Sequence, residues 1–163
     1  MTVIEASGER YIEARSEQVW MVVDNANCLA RWLSFANKVE VVEGDGLGRR
    51  QIVHGRYHRF CNCVEQEVTV YEPARRMEWT HTEEHPAVSH IPRLDRTTVI
   101  SVELIPEGAG TRVRIETAQE PAGVLRGIAM RLMTQRAIER HITLSLEQLE
   151  GMLLGRLNEQ RSY

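Results

Sequence analysis

Residues Pro121 to Leu154 read PAGVLRGIAMRLMTQRAIERHITLSLEQLEGMLL. Val124, Ile128, Leu132, Ile142, Leu146, Leu149 and Leu153 recur there at helical spacing and predict one long amphipathic helix. Midway along, the same stripe carries Gln135 and Glu139. At about 100° per residue, Gln135 falls at the centre of the stripe and Glu139 beside it. A solid core would leave that amide and carboxylate without partners. A helix closing over a cavity would not, so the stretch predicts a helix that walls a ligand site.

Upstream the chain reads as strands. Residues Val3 to Ala14 form a first, mostly alternating segment, with Gly8 as a candidate bulge. Ser16 is the expected N-cap of a short helix burying Val19, Trp20 and Val23, and a second short helix covers about Ala26 to Leu33. Strands are then predicted at about Val39–Glu43, Arg49–Tyr57, Cys61–Tyr71, Arg76–Glu83, Thr97–Ile105 and Thr111–Gln119. Between them lie turn sequences such as Gly44-Asp-Gly-Leu-Gly48 and Pro106-Glu-Gly-Ala-Gly110. Short links imply antiparallel neighbours. The exception is Glu84–Arg96, a longer link of the kind that often carries function. The sum is an α+β chain: seven antiparallel strands curved around one terminal helix.

Composition narrows the function classes. The chain has 163 residues, enough for one full-sized core, and residues 1–155 are expected as a single domain with 156–163 as a tail. The formal net charge is −3 and Lys38 is the sole lysine, which gives a nucleic-acid surface no support. No run is long and apolar enough to span a bilayer, so stable membrane insertion is not expected. The N-terminus lacks a basic patch followed by an apolar run, and a cytoplasmic location is expected. Cys28, Cys61 and Cys63 make no disulfide framework and are read as reduced thiols. No nucleophile elbow, phosphate-cradling loop, dinucleotide fingerprint or His-Glu-x-x-His is present, so no cofactor and no metal are expected.

Three local patterns carry a family resemblance. They are Ile12-Glu-Ala-Arg-Ser-Glu-Gln-Val-Trp20, Val68-Thr-Val-Tyr-Glu-Pro-Ala-Arg-Arg-Met-Glu-Trp79 and Leu104-Ile-Pro-Glu-Gly-Ala-Gly-Thr-Arg-Val113. In that order and spacing the chain resembles the START-like or Bet v 1-like superfamily, also called SRPBCC or the polyketide cyclase/dehydrase group. Arg15 and Ser16 stand where prolines are frequent in that family. The resemblance implies a helix-grip fold with a deep cavity between sheet and helix. It implies binding of lipids, polyketides or other apolar molecules, with cyclisation, aromatisation or dehydration in some members and carriage alone in others. Fold by itself does not choose between these.

Strand parity then selects candidate residues. Ile12 inward brings Arg10 inward, and Met77 with Trp79 inward brings His81 inward. By the same count Gln66, Thr98, Thr117 and Gln119 face the helix. In the second and third strands one bulge would reverse parity, so His54 is open to either face. Glu139, His81 and Arg10 are the candidate catalytic groups: a carboxylate and an imidazole to move a proton, and a guanidinium to hold an oxygen. The competing account of Glu139 is an ion pair with Arg10, Arg136 or Arg140. Candidate ligand-binding residues are Gln135, Gln66, Trp79, Thr98, Thr117, Gln119, Tyr57, Phe60, His54, Ile128 and Leu132, with Trp79 equally readable as core. His81 is the best acid/base candidate among the histidines between Val53 and Ile91, whereas His141 lies off the stripe and is expected to be solvated. A metal set of His58, Cys61 and Cys63 lacks standard zinc spacing. Three functions follow: an enzyme acting on a hydrophobic or polyketide-like ligand, a non-catalytic lipid, quinone or small-molecule carrier or sensor, and an interaction module or homodimer using Met130, Met133, Leu144 and Leu154.

Overall fold

The computed structural model describes residues 4–57, 60–86, 95–121, 123–125, 128 and 135–161. Strand β1 (Ile4–Ile12) is followed by α1 (Ser16–Val23) and α2 (Ala26–Trp32). Six strands come next: β2 (Lys38–Glu43), β3 (Arg50–Tyr57), β4 (Phe60–Glu72), β5 (Arg76–Pro86), β6 (Asp95–Glu107) and β7 (Gly110–Pro121). The helix α3 (Gln135–Arg161) ends the described chain. It runs past Leu154, so residues expected as a tail continue the helix. All seven strands form one antiparallel sheet in the order β1-β7-β6-β5-β4-β3-β2. This is a helix-grip fold.

Rows of facing residues build the inner surface. Ala6, Thr117, Ile100, Trp79 and Val68 stand opposite one another across five strands. The next row is Gly8, Ile115, Val102 and Met77. Every side chain in these two rows is buried, and each large apolar one contributes about 1.5–3 kcal/mol of burial. Against them α3 presents Ile142, Leu146, Leu149 and Leu153, all buried.

Gly8 sits in regular register opposite Ile115, not in a bulge. Its role is to let the helix approach. A Cβ built there would stand 2.7 Å from Ile142 Cγ2. The link after α2 is tied to the same part of α3. Ser34 N donates to Ser145 Oγ at 2.9 Å, and Ser145 Oγ donates to the His141 carbonyl at 2.7 Å.

The N-cap of α1 is Arg15, not Ser16. Gln18 Oε1 accepts from Arg15 N at 2.9 Å and supplies the cap contact. Ser16 is instead buried, with its Oγ 3.1 Å from Thr111 Oγ1. At the other end of α1, buried Arg49 donates to the Asp24 carbonyl at 2.9 Å and Tyr71 Oη donates to Asp24 Oδ2 at 2.9 Å. These bonds hold α1 against the start of β3 and the end of β4.

Two glycines should respond oppositely to substitution. Gly8→Val inserts methyl groups into the helix–sheet contact and should cost about 2 kcal/mol. Gly151 lies on the exposed face of α3 with open space around it. Gly151→Ala should stabilise by about 0.5–1 kcal/mol through helix propensity. Urea unfolding of both variants checks the pair; a neutral Gly8→Val would refute the close approach.

Candidate functional site

A cavity of about 150 Å³ lies between the sheet and the first turns of α3. Val53, Val64 and Ile100 form the apolar part of its sheet wall. Leu33, Phe35, Ile138 and His141 face them from the α2–β2 link and the helix. Polar lining comes from Gln66, His81, Thr98, Thr117 and Gln119.

Register explains why these polar residues meet. Gln51 stands opposite Gln66, and Gln66 opposite His81. Thr80 stands opposite Val99, which brings His81 and Thr98 to neighbouring positions on one face. Thr98 in turn stands opposite Gln119. One polar row therefore crosses β3, β4, β5, β6 and β7 immediately beside the apolar row of Trp79 and Ile100.

Hydrogen bonds join the first three members of the row. Gln51 Nε2 donates to Gln66 Oε1 at 3.1 Å, and Gln66 Nε2 lies 3.0 Å from His81 Nε2. With its nitrogen toward the ring, Gln66 donates to an unprotonated Nε2. Turned over, it accepts from Nε2–H. Gln51 can turn with it, so the pair holds His81 in place whichever protonation state the ring adopts. Thr117 Oγ1 donates back to the Ala6 carbonyl at 3.5 Å. Gln119 Oε1 is buried and accepts no hydrogen bond among the described residues. A ligand hydroxyl or N–H, or a water, would satisfy it.

His141 is the second imidazole at the cavity. It is half-buried, not solvated as its off-stripe position suggested. Ser34 Oγ lies 2.7 Å from its Nδ1, and its ring packs on Phe35 with centroids 5.1 Å apart. Burial, with Arg140 adding to it, holds the His141 pKa below the usual histidine range.

Other sequence candidates sit elsewhere. Glu139 is exposed, and Gln135 Nε2 donates to its Oε1 at 3.4 Å. Neither residue lines the cavity; Ile138 does. The shift has a geometric cause. Including Val124, Ile128 and Leu132 moves the mean of the stripe about 13° toward Glu139. Val124 and Ile128 are 80% and 52% exposed, so they do not belong to the buried face. Counting back one turn from Ile142 alone gives Ile138.

Arg10 does point inward along β1, but it pairs with Glu150 of α3, away from the cavity. Trp79 is a core residue, 1% exposed. His54 faces the opposite side of the sheet, because its neighbours Val53 and Gly55 line the cavity. Leu132, His58, His90, Met130 and Met133 lie outside the described residues, as do the side chains of Tyr57, Phe60, Cys61 and His85. Sequence reasoning missed Ile138, His141, Leu33 and Phe35. For Ile138 the helical count held the signal. For His141 it did not, since Ser34 and Phe35 reach it only through the fold.

Stability should report the His141 environment. Its folded pKa lies below the unfolded value of 6.5. The unfolded chain therefore binds the proton first, and stability falls as pH drops through that value. Between about pH 7 and pH 5 the urea midpoint should fall more for wild type than for His141→Asn. Parallel curves would contradict the depressed pKa.

Comparison with known proteins places the chain. A family model described as polyketide cyclase / dehydrase and lipid transport matches residues 3–152. Among solved structures, the Zhui aromatase/cyclase from Streptomyces sp. R1128 is similar with a TM-score of 0.78 and 16% identity, over 96% of each chain. TTHA0849 from Thermus thermophilus is similar with a TM-score of 0.72 and 22% identity, over 94% of this chain and 99% of that one. Ara h 8.0201 has a TM-score of 0.67 and 14% identity, over 94% of this chain and 99% of that one. A search of curated protein sequences finds no significant match.

Proposed function

Since the chain belongs to the polyketide cyclase / dehydrase and lipid transport family, we propose that it binds a hydrophobic, polyketide-like molecule in the sheet–helix cavity and dehydrates or cyclises it. The observation that carries this reading is the polar row set into an otherwise apolar cavity wall. An apolar space of about 150 Å³ takes one benzene-sized ring. The part of the ligand held here is therefore one ring, or the segment of chain that becomes one. Gln119 Oε1 would accept from its hydroxyl.

His81 is the proton carrier in this proposal. It takes a proton from the carbon that lies between a carbonyl and a hydroxyl-bearing carbon and gives that proton to the hydroxyl as its C–O bond breaks, so that water leaves and a double bond forms between the two carbons. Gln66 orients the ring through both states. The apolar lining limits the access of water to the reacting segment. Arg10 and Glu139 hold no part in this step, because both are engaged outside the cavity.

A carrier or sensor is the second reading. Its support is that Thr117 and His141 already have protein partners and that no carboxylate or guanidinium is among the described lining residues. No helix among the described residues is long and apolar enough to cross a membrane. We propose a cytoplasmic setting, and exposed Leu144 and Leu154 are the place to look for a homodimer.

Two variants separate these readings. Ile138→Trp fills the cavity and should weaken the binding of phenol or resorcinol, read by ligand-observed NMR, at least about tenfold. Unchanged binding would sink the cavity assignment. His81→Gln should keep that binding. In the enzyme reading it slows dehydration of a β-hydroxyketone about 100-fold or more. Equal turnover by wild type and His81→Gln would leave the carrier reading in place.

A further inference from the structure

On the sheet face turned away from the cavity, three strands bring a thiol, an imidazole and a carboxylate into line. Val53 and Gly55 on β3 and Val64 on β4 line the cavity, so His54 and Cys63 point outward. The register sets His54 directly opposite Cys63 on one side and opposite Lys38 on the other. Cys63 Sγ lies 3.1 Å from His54 Nδ1. The other ring nitrogen, Nε2, lies 3.0 Å from Glu40 Oε2. The second Glu40 oxygen pairs with Lys38.

This order of atoms has a chemical consequence. Nε2–H donates to the carboxylate, which fixes the tautomer and leaves Nδ1 to accept the thiol proton. Transfer of that proton gives a thiolate beside an imidazolium, and Glu40 stabilises the imidazolium from behind. Lys38 and then His54 hold the Glu40 carboxyl below the usual range, so it is ionised at neutral pH. Access is open: Cys63 is half-buried, and the His54 side chain is 35% exposed. Cys28, by contrast, is buried. His85 occupies the register position opposite Cys63 on β5.

We propose that Cys63 is a nucleophilic thiol activated by His54 and Glu40, and that it takes low-molecular-weight disulfides. The Cys63 thiolate attacks one sulfur of the disulfide. A new S–S bond forms and the old one breaks. Cys63 is oxidised to a mixed disulfide, and the departing sulfur is reduced and leaves as a thiol with the proton from His54. Cys63 is the reacting residue; His54 is its base, and Glu40 is a positioning residue.

The test uses the full chain with Cys61→Ala, so that the tryptic peptide 60–75 carries one thiol. Mass spectrometry follows its reaction with iodoacetamide and with glutathione disulfide. At pH 7 an unassisted thiol is only a few per cent thiolate, so His54→Gln should slow both reactions about tenfold and Glu40→Gln about threefold. At about pH 9.5 the three rates should converge, since the thiol then ionises unaided. A purely structural role for His54 would not produce that convergence. A His85→Gln control should react like its parent. Equal rates at pH 7 for the parent and His54→Gln overturn the proposal. If His54→Gln fails to fold, the same comparison rests on exposed Glu40→Gln, and equality there overturns it as well.

Discussion

The architecture rests on one steric allowance, the missing side chain at Gly8. Ile142 occupies that space, and α3 packs there against β1 and, less extensively, β7. The Ser34–Ser145–His141 bonds clamp the same stretch of helix to the link after α2. Closer to its N-terminal end the same helix borders open space. The gap lies under Ile138 and His141, and it is the cavity. The close contact and the empty space thus lie along one helix.

Most of the polar groups among the described lining residues come from the sheet, and the helix adds His141. Inward-facing residues in neighbouring strands come into row because antiparallel register aligns them. The row of Gln51, Gln66, His81, Thr98 and Gln119 is polar, and the row beside it is a packed apolar core. An amide that can donate or accept is suited to a histidine whose proton comes and goes. A lysine or arginine in the position of Gln66 would favour the neutral ring alone. Burying polar side chains costs stability unless each finds a partner, and most of this row is bonded within itself. Among the described residues Gln51 Oε1 and Gln119 Oε1 are the acceptors of this row left without a partner, and of the two it is Gln119 that lines the cavity, within reach of something that enters.

The two faces of β3 and β4 have separate chemistry. Alternation sends Val53, Gly55, Val64 and Gln66 into the cavity and His54 and Cys63 to the outside. A histidine that composition alone would group with His81 belongs to a different assembly for that reason. Its partners are a thiol from one neighbouring strand and a carboxylate from the other, and no contact passes through the cavity.

The strand-borne part of this molecule was legible because its signal is local. Period-2 alternation, glycine-rich turns and a few anchoring hydrophobic residues place Gln66, His81, Thr98, Thr117 and Gln119 on one face before any packing is known. The strand boundaries moved by only a few residues, chiefly where β5 and β6 extend into the expected Glu84–Arg96 link. The helix-borne part was not legible in the same way. A helix turns about 100° per residue, so averaging in Leu132 together with Val124 and Ile128, both of which are exposed, moved the predicted face toward Glu139. The partner of Arg10 was likewise decided by which turn of α3 crosses β1, and that is Glu150. By itself the sequence determined the order of elements and the parity of the strands, because both follow from nearest-neighbour chemistry along the chain. Only the tertiary structure decided the rotation of the helix, the place of His141 beside Phe35, and the meeting of Glu40, His54 and Cys63. Those depend on contacts between segments far apart in the chain, which no local pattern encodes.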